Sequence, residues 1–395
     1  MDTKQLYDSR VADIVKTTDF QEPDHIPVMG MFLTWPVGYY GMDLHEMLTK
    51  PQELAEKWCN IYDEVYIDTT HLCGISTSIR TLEALGSDTF FISSDGSTIQ
   101  HKENCKMLAN EYDELMKDPK DFMINVLGSR KFEKLSAGND ASYECLVNAA
   151  KEQMEFNKIN SAIREITINK YGITYIYGNA KVYPPFDYIF DRLRGFSGTM
   201  TDIRRNRAKL FEATNAMYEY VKVWANTANK AGWALTSNTR EDHGFPYAVS
   251  TVHCPTYLSP KDYAELYFPT FKLLLETIYE SGSKTVLFNE GGWKKFNDIM
   301  KELPKKSTIS IYEEDDIIEM KRLMGEDTTV CGGVKTNMLK YASKQECLDE
   351  AKRVCDECAP GGGFMFTTER SLLSVGDVNI ENLSAVNEFV HNYKR

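Results

Sequence analysis

The sequence has no run of about 18 apolar residues, so no segment reads as a membrane-spanning helix. Its first residues, "MDTKQLYDSR", are polar and lack the basic-then-apolar order of a signal peptide, which leads us to expect a cytoplasmic protein. Positive charge is scarce: 45 Lys and Arg stand against 58 Asp and Glu, a net charge of −13. A field of that sign repels phosphates and argues against a general binder of nucleic acid or anionic membrane. No G-x-x-x-x-G-K-[ST] loop, G-x-S-x-G elbow or G-x-G-x-x-G after a strand is present, which excludes the usual phosphate loop, serine hydrolase and dinucleotide signatures. Nine cysteines without a secretory leader do not suggest a disulfide framework. "CDEC" (355–358) has no second C-x-x-C to complete four zinc ligands. Ser343 and Glu346 form a capping box, after which Cys347, Leu348, Ala351, Val354, Cys355 and Cys358 fall on one apolar helical face. Those cysteines read as small buried hydrophobes. Tandem repeats and low-complexity linkers are also absent.

What is present is alternation. The chain has 395 residues and is 42% hydrophobic, enough for a large core. In its last third, "KTVLFN", "STISIY" (307–312), "TTVCGG" (328–333) and "GGFMFTT" (362–368) are each followed by a helical segment, near 293–302, 314–324, 344–358 and 380–392. Short apolar strands separated by helices imply parallel βαβ units, as in a (β/α)8 barrel or a doubly wound sheet. Residues 261–281 have helical periodicity that Pro269 should interrupt. Residues 201–232 read as one or two long helices ending at Gly232, followed by a strand in "WALTSN". Earlier, "EVYIDTT" (64–70) reads as a strand, and "TFFISSDGSTIQHK" (89–102) as a hairpin turning at Asp95-Gly96. One barrel domain over 1–395, with an N-terminal extension and hairpin and helical insertions, accounts for these segments best.

On a barrel, chemistry gathers where strands end. Glu290 ends "VLFN", with Gly291 and Gly292 behind it. Glu313 follows "STISIY", Glu369 follows "GGFMFTT", and His253 and Cys254 follow "AVSTV"; Asp68, Thr69, Thr70 and His71 close the early strand. Each carboxylate also has a plain reading as a helix N-terminal neighbour, strongest for Glu313, which opens the charge run "EEDD". His253 with Glu290 has the donor types of a catalytic zinc, yet a lone histidine is commonly structural. Trp35, Tyr39, Tyr40, Tyr183 and Phe186 lie in loops bearing Pro or Gly. They are either core aromatics or the walls of a site for a flat organic substrate, with His71 as a further contact.

"PFDYIFDRLRGFSGTMTDIRRNRAKLFEATNAM" (185–217) resembles the P-F-D…L-R-G-F…D…L…A segment of the uroporphyrinogen decarboxylase superfamily. "DGSTIQHKE" (95–103), "YLSPKDYAELYFPTFKLLLETIYESG" (257–282), "LFNEGGW" (287–293) and "GGGFMFTTE" (361–369) are similar to its other blocks, in order. The resemblance implies a (β/α)8 barrel. The decarboxylases carry a paired-arginine loop for porphyrin carboxylates, whereas the matching region here, 27–41, has no arginine. The thiol-methylating, corrinoid-linked members hold zinc with His-x-Cys and a later Cys. The matching positions are Phe288 and Glu290, with no Cys near 365–372. What remains resembles the O-demethylase methyltransferases, which move a methyl group from a methoxylated aromatic to the cobalt of a corrinoid protein. The expectation is therefore methyl transfer with Glu290 and His253 as catalytic residues. Zinc, if present, would be held by Glu290, His253 and Glu369, and Trp35, Tyr40, His71, Tyr183 and Phe186 would contact substrate. The sequence has no D-x-H-x-x-G, so the corrinoid would come on a separate protein. A decarboxylase or a non-catalytic ligand-binding barrel are the alternatives, and a homodimer is compatible with all three.

Overall fold

The computed structural model describes residues 2–136, 138–176, 181–225, 245 and 247–394. Eight parallel strands form its main sheet: β1 (Val28–Phe32), β2 (Thr69–Cys73), β5 (Thr174–Tyr175), β6 (Ala248–Val252), β7 (Thr285–Asn289), β8 (Thr308–Tyr312), β9 (Thr329–Gly332) and β10 (Phe364–Thr367). Their spatial order is β5-β2-β1-β10-β9-β8-β7-β6. Across the seam from β5 to β6, Lys181 bridges Val249 in parallel, and the Val182 amide donates to the Val249 carbonyl at 2.9 Å. Helices surround the curled sheet, giving the expected (β/α)8 architecture. β3 (Phe90–Ile92) and β4 (Ile99–His101) pair antiparallel around the Asp95-Gly96 turn, as the hairpin pattern predicts.

Alternation along the strands decides what faces inward. Met29, Met31, Val249, Val286, Phe288, Ile309, Ile311, Cys331 and Met365 pack together as the barrel interior. Val28, Phe32, Val252, Leu287, Val330, Phe364 and Phe366 belong to the outer core beneath the helices. Burying each such side chain contributes about 1.5–3 kcal/mol, so a one-residue slip in register would cost the whole set. The helix Thr3–Thr18 closes the N-terminal end of the barrel. Its Ile14 joins the interior cluster, and its Thr18 Oγ1 lies 3.2 Å from the Tyr247 hydroxyl.

The elements of the last third follow the sequence pattern. The capped helix spans Lys344–Cys358 with Cys347, Ala351, Val354, Cys355 and Cys358 buried, so "CDEC" is core. Pro269 stands where a π-helix, Tyr263–Tyr267, gives way to the α-helix Phe268–Glu280. The early strand is shifted from its expected place: β2 starts at Thr69, not near Glu64. A short helix, Ile61–Glu64, occupies the start of that segment, and Asp68 fixes where the strand begins by accepting the Val28 amide at 2.9 Å and Arg10 Nε at 3.1 Å. β1, β5 and the 31-residue helix Asn139–Asn169 were not anticipated from the sequence. Where one or two long helices were expected over 201–232, the described residues form two, Gly195–Arg205 and Arg207–Ala225. The expected end at Gly232 and the strand in "WALTSN" lie outside the described residues. Among those described, no helix is long and apolar enough to cross a membrane.

Candidate active site

Register builds the site. Val252 of β6 pairs with Asn289 of β7, which pairs with Tyr312 of β8. The next residue on each strand is therefore His253, Glu290 and Glu313, and by alternation these follow the inward-facing line of Val249, Val286, Phe288 and Ile311. The Glu290 amide donates to the Val252 carbonyl (3.1 Å) and the Glu313 amide to the Asn289 carbonyl (3.3 Å), carrying the ladder one step past the strands. Three side chains able to move a proton or bind a polar ligand thus meet at the C-terminal mouth.

His253 is held from two sides. Its Nδ1 lies 2.9 Å from Asp191 Oδ1, and its Nε2 lies 3.7 Å from Glu290 Oε2. Below it, fully buried Asp187 accepts the amides of Cys254 (2.8 Å) and His253 (3.3 Å) and the Tyr267 hydroxyl (2.6 Å), which locks the backbone carrying the imidazole. The hydrogen bond to Asp191 raises the His253 pKa to about 9, with help from the Glu290 charge and against burial. Burial raises Glu290 to about 7; Glu313 and Asp191 push the same way, and His253 opposes them. Burial, then Asp191, lifts Asp187 to about 7 as well. Phe190 and Tyr257 flank the imidazole, with ring centroids 5.2 and 6.0 Å from it.

The loop behind Glu290 is tied down by two carboxylates. Glu313 Oε2 accepts the Gly291 amide (2.8 Å), and the Asp315 carboxylate accepts the amides of Trp293 (2.7 Å) and Lys294 (3.1 Å). The "EEDD" run is therefore only partly a helix start: Asp316 caps the helix Ile317–Met324, while Glu313 and Asp315 clasp the neighbouring loop. Gly291 is required here. Its φ is +72°, and a Cβ at this position would lie 2.1 Å from Thr256 Oγ1.

The other expected site residues are dispersed. Glu369 has no described contact with His253 or Glu290. Its carboxylate accepts the Thr336 amide (2.9 and 3.1 Å) and the Thr336 hydroxyl (2.5 Å), holding the start of the helix Thr336–Tyr341. Trp35 and Phe186 are fully buried core aromatics and not substrate walls, because the outer helices pack over them. The Tyr40 hydroxyl donates to Glu64 at 2.6 Å, so it pins a surface turn. His71 is fully buried, with its ring centroid 6.4 Å from that of Phe288, and burial with the nearby Lys181 charge lowers its pKa to about 3. Tyr183 stands among Lys181, Arg192, Tyr188 and Trp224.

A catalytic zinc takes three protein ligands. His253 and Glu290 supply two, and among the described residues no group of three or more His, Cys, Asp or Glu side chains is placed to hold a metal ion. Among the described residues, the donor set does not fit the expected zinc.

Asp187 and Asp191 were missed in the sequence. They sit four apart in "PFDYIFD", which puts both carboxylates on one helical face, and that spacing was the available signal. The π-helix Ile189–Arg194 carries Asp191 toward His253, a local irregularity common at functional sites.

Residues 188–393, just over half of the chain, match the family described as Uroporphyrinogen decarboxylase (URO-D). No curated protein sequence matches the chain. Among solved structures, a methyltransferase from Methanosarcina mazei shares the fold, with a TM-score of 0.59 at 13% identity over 99% of this chain and 98% of that one.

Proposed function

Since the chain belongs to the uroporphyrinogen decarboxylase family, we propose that it is a methyltransferase of that superfamily, taking the methyl group of a methoxylated aromatic and passing it to a corrinoid carried by a separate protein. The observation that carries this reading is the Asp191–His253–Glu290 array at the barrel mouth, a cation held ready beside a weakened acid. The end-to-end likeness in fold to a methyltransferase supports it. The region matching the porphyrin-binding loop of the decarboxylases is strand β1 and the buried Trp35 turn, without an arginine.

When docked, the reduced corrinoid supplies the nucleophile that accepts the methyl group. This chain's task is the leaving oxygen. When the O–CH3 bond breaks, its electron pair stays on oxygen, and the phenolate takes the Nε2 proton of His253 to leave as the neutral phenol. Asp191 keeps its hydrogen bond to Nδ1 and favours the charged imidazolium before transfer. The 3.7 Å gap to Glu290 is too long for a hydrogen bond, so the Nε2 proton is free to meet an incoming oxygen. Glu290, with its pKa near 7, passes a replacement proton from solvent.

The test mixes the protein with a reduced corrinoid protein and a panel of methoxylated aromatics. The expected result is the absorbance change of corrinoid methylation together with an equal yield of phenol. Release of carbon dioxide from an acid substrate, without methylation, would make the protein a decarboxylase.

A further inference from the structure

The seam of the barrel carries a cluster for which the proton chemistry has no use. Val182 is buried in the outer core, while its neighbour Lys181, on the other face of the strand, is exposed and its charge reaches the buried His71. Lys181 Nζ and Arg192 Cζ each lie 5.4 Å from the centroid of the Tyr183 ring, and Arg192 donates to the Tyr183 hydroxyl at 3.3 Å. Burial would raise the Tyr183 pKa, but Lys181 and Arg192 outweigh it and hold it below its ordinary value. Among the described residues, no carboxylate forms a salt bridge with either cation, although the chain has a net charge of −13 and pairs most of its partly buried arginines. Lys181 pairs with Val249 of β6, the strand that leads to His253, so the cluster stands at the seam beside that strand. Carboxylates thus surround His253 at the end of β6, and two cations flank a tyrosine at the seam beside the same strand.

We propose that Lys181, Tyr183 and Arg192 form the subsite for an anionic group of the substrate, so that the preferred methyl donor is a methoxylated aromatic carboxylate and not a neutral ether. This rests on the methyl-transfer reading for the fate of the methoxy group, but the subsite can be tested without it. A guanidinium and an ammonium facing one carboxylate make charge-assisted hydrogen bonds that a neutral ring cannot replace. The probes are 3-methoxybenzoate, benzoate and methoxybenzene, titrated by calorimetry into the protein alone. Both benzoates should bind saturably, and methoxybenzene more weakly. Lys181→Met and Arg192→Gln should each weaken the benzoates by about ten- to a hundredfold while leaving methoxybenzene unchanged, and Arg192→Lys should keep part of the affinity. Circular dichroism melts check that the variants are folded. The subsite is refuted if the neutral ether binds as well as the acids, if no probe binds, or if the variants alter only association with a corrinoid protein. Benzoate binding that depends on Lys181 and Arg192, with no methyl transfer from any donor, would overturn the proposed activity and leave the subsite standing.

Discussion

Val252 and Asn289 are register partners on adjacent parallel strands, and that pairing sets the imidazole of His253 beside the carboxylate of Glu290. Two residues 37 positions apart in the sequence become neighbours through backbone hydrogen bonds alone. If His253 donates the leaving-group proton, His253→Gln should lower phenol formation by roughly 10²–10⁴-fold, the usual worth of a general acid. The thermal midpoint should also fall near neutral pH, where the charged imidazole is held by Asp191, and approach the wild-type value as pH rises through the raised pKa. Full activity in the variant would remove His253 from the chemistry.

Asp191 is the first cause of the raised His253 pKa. Asp191→Asn should bring that pKa down from about 9 toward the ordinary value. The alkaline limb of the rate profile should shift to lower pH with it. Because the folded pKa lies above the unfolded one, the stabilisation from charged His253 is complete below about pH 6.5 and lost as pH rises through the folded value. The stability gap between wild type and Asp191→Asn should therefore close at high pH. An imidazole titration followed by NMR checks both statements.

Glu290 carries the opposite linkage. Its pKa is raised by burial to about 7, so the ionised carboxylate costs stability above its unfolded value, and the whole cost is present once pH exceeds the folded one. Glu290→Gln should raise the thermal midpoint more at alkaline than at acidic pH while slowing turnover. A gain that is independent of pH would contradict the burial argument.

Gly291→Ala tests the loop. It forces φ of +72° on a residue with a Cβ and drives that Cβ into Thr256. The expected loss is about 1–3 kcal/mol of stability with a drop in activity. Adding Thr256→Gly should recover part of it, since that removes both the Oγ1 and the Cβ that the new methyl meets while the backbone strain stays.

Glu369→Ala separates the two roles suggested for that carboxylate. Loss of its three hydrogen bonds to Thr336 leaves the buried amide unpaired, at a cost of about 1–3 kcal/mol, while the Thr336 hydroxyl keeps only the hydrogen bond it accepts from Arg370 Nε. Metal content should be the same in the variant and the wild type. Metal lost in step with Glu369→Ala would restore it as a ligand.

The C-terminal strands were readable because each is a short β-prone run built around apolar residues and is followed by a capped or periodic helix, as in "STISIY" before Asp316. β1 was hidden by Gly30 and by the Pro and Trp that follow, which read as loop. β2 was placed early because "EVYID" has the composition of a strand, whereas Asp68, through its bonds to Val28 and Arg10, decides where pairing begins. Strand ends identified His253 and Glu290. They could not identify Asp191, which reaches the site from a helix, nor show that Trp35 and Phe186 face the core, because aromatic composition is the same on either side of a helix.

The helix Thr3–Thr18 corks the barrel, and its consequence is one of traffic. Among the described residues, that leaves the opposite mouth, at the strand C-termini, as the open end. If the proposed methyl transfer holds, donor, departing phenol and carrier protein share that mouth, so the small molecule has to be seated before the carrier lands and cannot depart until the carrier lifts. Turnover would then be strictly ordered, and excess carrier would slow it.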